Sequence, residues 1–333
     1  MSLISVVTTF HNASETLPET IRSLQAQTHA DYEHLLIDDG SDDLSVEIIR
    51  EVGGERVVLI RPGRVGRVEA LNIGLNTAQG KYVAILDADD IAKPDRLMRQ
   101  KAMLDEDVEL TLVCANADLI DEEGMEFGTT CFPESHIGLV TSLMNLNPFP
   151  HSSVMFQRET ALAIGGYNVR CEKSIDYNFY LDLLISGGKF AGCAAPLITL
   201  RSYPDSWGKN DQRGLQIRYG ILGLINYFQE SNGIEGILRS SESDWPQVKS
   251  VFDKWFDNRG YQQQMEAKKI FSNALKDFKY GRLLKSILDV KDALIKDPWL
   301  WKYRGCAFRY PDDVLVFLSY LKHKQCDLNK RMA

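Results

Sequence analysis

Three carboxylates stand within four residues at Asp87-Ala88-Asp89-Asp90, directly after the apolar run Tyr82-Val83-Ala84-Ile85-Leu86. Acids that close repel one another unless a cation neutralises them. Mg²⁺ and Mn²⁺ prefer hard oxygen ligands and often share them with substrate phosphates. A second acidic pair, Asp38-Asp39, closes another apolar run, His34-Leu35-Leu36-Ile37. Either cluster alone reads as an acidic turn capping the next helix. Two clusters closing two strands point to a binding site.

The elements that must position them alternate. Leu3 to Thr9 reads as a buried strand and residues 14–27 as a helix with Leu17, Ile21 and Leu24 on one face. Strands follow at His34–Ile37, Val57–Ile60 and Tyr82–Leu86. Helices are expected from Ser41 or Asp42 to about Val52, over Gly66–Ala78, and from Pro94 to about Leu104. This pattern predicts an α/β fold with a doubly wound, mostly parallel sheet. Right-handed crossovers bring the strand C-termini to one edge, where ligands bind. Thr8, Thr9, Asp38, Asp39, Asp87, Asp89 and Asp90 collect there.

The residues in order resemble the family 2 glycosyltransferases, which are inverting and have the GT-A fold. The matching stretches are Ser5–Asn12, Ser23–Thr28, Leu36–Asp42, Ala70–Leu75, Ala78–Val83 and Leu86–Asp90 through Pro94-Asp95-Arg96-Leu97. The likeness continues through His151–Phe156 and Gly165-Gly166-Tyr167, covering roughly residues 3–200. It implies a Rossmann-like nucleotide-sugar-binding half over 1–108 and an acceptor-binding half over 109–210. A helical C-terminal region over 211–333 is expected beyond the break near Pro204–Asp211.

The resemblance also implies roles. Thr9 falls near the nucleotide, and Asp39 accepts a hydrogen bond from the donor's base. Asp87 and Asp89 match the DxD motif that contacts ribose, pyrophosphate and a Mn²⁺ or Mg²⁺ ion, with Asp89 or Asp90 as the metal ligand. Arg64 or Arg67 adds positive charge near the phosphates, Arg67 being taken as the donor-binding residue. Asp176 matches the general base, although Ile175 stands where the family usually has a second acid. His151 and Trp207 fall on the acceptor side. The implied reaction moves a sugar, expected from a UDP-sugar, to a hydroxyl of a saccharide or lipid-linked saccharide during cell-surface polysaccharide or glycolipid synthesis.

Three other readings are weaker. A sugar-nucleotide pyrophosphorylase would want a glycine-rich phosphate loop after the first strand, where Thr8-Thr9-Phe10-His11-Asn12 stands instead. A degenerate, non-catalytic carbohydrate-binding protein would have lost the carboxylates that this chain keeps. A dehydrogenase would need G-x-G-x-x-G after a strand, which Gly63-Arg64-Val65-Gly66 does not supply.

The whole chain of 333 residues is 44% hydrophobic and 25% charged, which excludes a disordered polymer. Its net charge of −8 argues against a nucleic-acid binder. Residues 251–333 nevertheless carry 17 Lys and Arg against 10 Asp and Glu, a net of +7. Basic and aromatic residues on amphipathic helices suit an anionic membrane surface, or a homodimer with solvated lysines outside. Six cysteines without metal spacing read as buried thiols. With no signal-peptide pattern and no run of about 18 apolar residues, a cytoplasmic chain is expected, with peripheral contact at the inner face of the membrane.

Overall fold

A computed structural model describes residues 3–144, 147–202 and 214–257. The chain divides into two compact units, Met1–Leu143 with Asn147–Ser206, and Met144–Leu146 with Trp207–Ala333.

The first unit runs β1 (Ile4–Phe10), α1 (Leu17–Gln25), β2 (Tyr32–Asp38), α2 (Ser45–Val52), β3 (Val57–Ile60), α3 (Arg67–Thr77) and β4 (Tyr82–Ile85). It continues with β5 (Ile91–Ala92), α4 (Arg96–Glu106), β6 (Leu110–Ile120), β7 (Glu126–Thr129) and α5 (His136–Leu143). A 3₁₀ turn at His151–Ser153 leads into β8 (Met155–Gln157), α6 (Arg158–Ala163), α7 (Ile175–Ile185) and β9 (Lys189–Arg201). One sheet joins the strands in the order β3-β2-β1-β4-β8-β6-β9-β5, with β7 on the side of β6.

β3, β2, β1 and β4 are all parallel, as the alternation predicts. β1, β2 and β4 are buried almost throughout, which explains their continuous apolar runs. In register, Phe10 lies opposite Asp38. The Asp39 N–H then donates to the Phe10 carbonyl at 2.8 Å, and the Leu86 N–H to Val7 at 3.1 Å. Both acidic turns are thereby fixed to the end of β1. Gly74, inside α3, is the packing reason the helix lies so close to β1. A Cβ there would stand 2.5 Å from Val7 Cγ1.

Beyond β4 the sheet is mixed. β8 is antiparallel to both β4 and β6, while β9 is parallel to β6 and β5 antiparallel to β9. The two-residue β5 and the six-residue α6 are too short to leave a period in the sequence. Ser41 and Asp42 do not start α2, which begins at Ser45. Asn12 engages them instead, with its N–H on Ser41 Oγ (3.0 Å) and its Nδ2 on Asp42 Oδ1 (2.7 Å). Cys114, Cys131, Cys171 and Cys193 are free thiols, Cys114 and Cys171 buried.

In the second unit the described residues form α8 (Leu215–Ser231), a 3₁₀ turn at Ile237–Arg239 and α9 (Trp245–Asp257). Asn226 and Gln229 of α8 accept the Leu238 and Ile237 N–H groups at 2.9 and 2.8 Å. Arg218 Nη1 joins α8 to α9 through Asp253 at 2.7 Å. No helix among the described residues is long and apolar enough to cross a membrane. Trp207 and nearly all of the basic tail lie outside the described residues.

Candidate active site

The Asp38–Asp39 turn is neutralised by its own surroundings. Asp38 is buried; its Oδ1 accepts the Ser41 N–H at 2.7 Å and its Oδ2 the Arg61 Nε at 3.0 Å. Asp39 faces α3. Its Oδ1 accepts the N–H groups of Val65 and Gly66, each at 2.7 Å. A helix N-terminus is where a carboxylate is stabilised by orphan N–H groups. Gly66 has φ 88°, a left-handed conformation that glycine adopts without strain, so the loop can present those two amides. Arg64 Nη1 donates to the Asp39 carbonyl at 3.0 Å. Thr9 is partly buried in β1, beside Ile37 of β2.

The Asp87–Asp90 turn has less charge to share. Arg67, the first residue of α3, donates from Nη2 to both Asp87 oxygens, at 2.7 and 2.9 Å. Burial pushes the Asp87 carboxyl up. The Arg67 and His151 charges and the hydrogen bonds from Arg67 and Ser152 outweigh it and hold the group below the usual carboxylate range. Asp89 has no such clamp: burial, then the charge of Asp87, pushes it up to about 6.

The metal pair expected at Asp89 and Asp90 divides here. Asp90 is buried, and its two oxygens already accept the Ser152 hydroxyl and the Arg201 N–H. Burial, then the charges of Asp89 and Asp87, raise it well above the usual range. Ser152 Oγ also accepts the Asp87 N–H at 2.9 Å, so one serine braces both ends of the turn. Behind it lies fully buried Arg96, from the Pro94-Asp95-Arg96-Leu97 motif. It donates to the Ile85 carbonyl at 2.7 Å and to Gln100 Oε1 at 3.0 Å, and burial lowers it to about 9.

His151, expected on the acceptor side, is buried and shares a 2.8 Å hydrogen bond between Nε2 and the Tyr167 hydroxyl. Burial lowers its pKa against the opposing charges of Asp87 and Asp176. Tyr167 is placed by Asn72 of α3, which donates to its carbonyl (2.9 Å) and accepts its N–H (2.8 Å). A Cβ on Gly166 would lie 2.5 Å from Asn72 Oδ1. The Ala70–Leu75 and Gly165–Tyr167 stretches are thus two halves of one clamp. Asp176 sits in the first turn of α7 and accepts Asn147 Nδ2 at 2.6 Å.

Arg67 feels the charges of Asp87, then Asp176 and Asp89, and they raise its pKa further. The structure therefore brings Arg67, Asp87, Asp89, His151 and Asp176 into one electrostatic neighbourhood. Asp39 is joined to it through the Val65–Arg67 start of α3. Sequence reasoning missed Ser152, Asn72 and Asn147. Asn72 and Ser152 lie inside the matched motifs, which is the one signal they carried; Asn147 had none. No group of three or more His, Cys, Asp or Glu among the described residues is arranged to hold a metal by side chains alone.

Residues 5–161 match the family described as Glycosyl transferase family 2. An uncharacterized glycosyltransferase of Haemophilus influenzae is 34% identical over 187 residues, covering 55% of this chain and 72% of that protein. The succinoglycan biosynthesis protein ExoO of Rhizobium meliloti is 29% identical over 157 residues, covering 47% of this chain and 44% of the relative. Among solved structures, S. aureus TarS 1-349 in complex with UDP-GlcNAc matches with a TM-score of 0.54 at 14% identity, covering 88% of this chain and 90% of that one. The mannosyltransferase PcManGT from Pyrobaculum calidifontis, in complex with GDP-Man and Mn²⁺, matches with a TM-score of 0.52 at 16% identity, covering 94% and 86%. At those identities the likeness is one of fold, and that fold is GT-A.

Proposed function

The chain belongs to glycosyl transferase family 2, and from that premise we propose an inverting, divalent-metal-dependent transfer of a sugar from a UDP-sugar to a hydroxyl. The acceptor is a saccharide or lipid-linked saccharide in surface polysaccharide or glycolipid synthesis. A relative named for succinoglycan biosynthesis supports that setting. The neighbour holding UDP-GlcNAc supports a UDP-linked donor.

One observation carries the reading: Arg67 pairs with Asp87 at 2.7 and 2.9 Å just past the end of the parallel strand β4, and the charges of Asp176 and Asp89 act on the same guanidinium. In this assignment Thr9 and Asp39 hold the nucleoside. Arg67 keeps Asp87 ionised and faces the diphosphate.

The donor set fits a divalent ion in the mode that shares it with substrate phosphates. Asp89 offers a hard oxygen in a place that disfavours its own negative charge, which a cation would relieve. Asp90 braces the turn from behind. When bound, the ion would neutralise the leaving diphosphate.

Asp176 then takes the proton of the acceptor hydroxyl. The hydroxyl oxygen bonds to the anomeric carbon on the face opposite the diphosphate, the carbon–phosphate-oxygen bond breaks, and the configuration inverts. His151 and Trp207 are assigned to the acceptor side. The basic C-terminal region is assigned to peripheral contact with the inner membrane face or to a homodimer.

Calorimetric titration of UDP and GDP, with and without Mn²⁺, tests the donor half. The expected outcome is binding of UDP that requires Mn²⁺. Binding of neither nucleotide under either condition would overturn the donor assignment.

A further inference from the structure

We infer that Asn147 is the positioning residue for the Asp176 carboxylate, an inference that rests on Asp176 being the general base. Asn147 Nδ2 donates to Asp176 Oδ2 at 2.6 Å across 29 residues of sequence. A carboxylate only accepts hydrogen bonds, so the amide nitrogen must be the atom that faces it. The contact fixes one oxygen of the acid and directs the rotamer of the other.

The surrounding chain makes the placement rigid. Phe149, two residues later, is buried and packs on Tyr180 with ring centroids 4.6 Å apart. Tyr180 is four residues after Asp176 on α7, hence on the same helix face. Ahead of Asn147, the Tyr177 hydroxyl donates to the Leu143 carbonyl at the end of α5. The segment carrying Asn147 is therefore fastened to α7 on both sides of the amide. Among the described residues, Asn147 Oδ1 is buried without a hydrogen-bond partner. Packing that leaves this oxygen unpaired points to a role for the nitrogen, since a purely structural amide would satisfy both ends.

The charged and titratable groups on which the Asp176 charge acts are Arg67 of α3, His151 of the 3₁₀ turn, Tyr167 of the loop before α7 and, on α7 itself, Tyr180. Removal of the Asn147 amide tests its hydrogen bond to the acid.

The test measures nucleotide release from a panel of UDP- and GDP-sugars with Mn²⁺ and water as the acceptor, as a function of pH. It is run on the full chain, beside Asn147→Ala, Asn147→Gln and Asp176→Asn, with UDP binding followed in parallel by calorimetry. In Asn147→Ala, kcat is expected to fall by about 10²-fold, the scale of a misplaced reacting group. The acid limb of the rate profile moves to higher pH, and UDP affinity is kept. Asn147→Gln, which keeps a donor, restores part of the rate. If Asn147→Ala keeps the wild-type rate and profile, loses UDP binding, or slows without moving the acid limb, Asn147 is not a positioning residue. The base assignment then still stands as long as Asp176→Asn is inactive. If Asp176→Asn turns over normally, the base assignment falls and the inference falls with it.

Discussion

Two acidic turns close two parallel strands of the same sheet, and they are built differently. At Asp38–Asp39 each carboxylate has donors of its own: Ser41 and Arg61 for one, Val65, Gly66 and Arg64 for the other. At Asp87–Asp90 the one guanidinium in direct contact, Arg67, is held by Asp87 alone, and the other two acids, Asp89 and Asp90, are pushed toward neutrality. The first turn is complete as folded and can offer its remaining lone pairs to a neutral donor such as a base N–H. The second is short of positive charge, and that deficit is what suits a cation carrying a diphosphate. In the proposed reading the same residue type at equivalent sheet positions serves recognition in one place and charge neutralisation in the other, by virtue of what surrounds it.

The largest effect that separates them is expected at Asp89. Asp89→Asn removes the carboxylate that the fold leaves unclamped, and nucleotide-sugar turnover should drop about 10³-fold, the upper range for losing one preorganised charge stabiliser. Thermal unfolding without metal should be unharmed, because a disfavoured charge is gone. A variant that still turns over with Mn²⁺ at the wild-type rate would break the contrast between the turns.

Asp39→Ala comes next. It strips the Val65 and Gly66 N–H groups of their acceptor as well as removing the contact to the base. Hydrogen bonds to a charged group contribute about 1.5–3 kcal/mol. UDP should bind about 10- to 100-fold more weakly while the Mn²⁺ requirement persists. Equal affinity in calorimetry would remove Asp39 from the nucleotide site.

Which parts of this contrast were legible beforehand follows from what each residue does with its own side chain. The parallel strands β1, β2, β3 and β4 could be read because they are apolar runs that end in polar residues, β1, β2 and β4 buried almost throughout. The reversal at β8 could not, because strand direction there depends on the neighbouring β4 and β6, and three residues carry no period. Asp39, Asp87 and Asp89 stood out as acids at strand ends. Their partners did not: Val65 and Gly66 act through backbone N–H groups, and Ser152 through a hydroxyl that resembles any other. Asp90 was grouped with Asp89 because adjacency is all that sequence offers. Only the fold shows that the Asp90 carboxylate is buried on the Ser152 hydroxyl and the Arg201 N–H while Asp89 is only partly buried.

His34 tests whether the recognition half also tolerates a charge at its centre. It lies on β2 beneath the Asp38 turn, fully buried, with Nε2 3.0 Å from the Thr8 hydroxyl. Burial lowers its pKa to about 3 from an ordinary 6.5. Between those values the unfolded chain binds more protons than the folded one, so stability falls as pH drops from 6.5 toward 3. The slope is about 1.4 kcal/mol per pH unit for one group. Above pH 6.5 this contribution is constant. Urea denaturation at a series of pH values should show that slope in the native protein and a flatter curve in His34→Gln. Parallel curves would mean that the protonated imidazole is accommodated after all.

The smallest effect is expected at Arg61, and its smallness is informative. Arg61 is half exposed although its partner Asp38 is buried, so water already screens the pair. Exposed and half-exposed ion pairs contribute under about 1 kcal/mol. Asp38 also keeps the Ser41 N–H when the guanidinium is removed. Arg61→Ala should therefore shift the urea midpoint only slightly and leave UDP affinity within about threefold, a change of roughly 0.65 kcal/mol by the usual conversion. Arg67→Ala, at the other turn, removes the direct clamp on Asp87 and should abolish most donor turnover. Equal losses in the two variants would mean that both turns depend on a single guanidinium, and the distinction between a self-neutralised and a charge-deficient strand end would not hold.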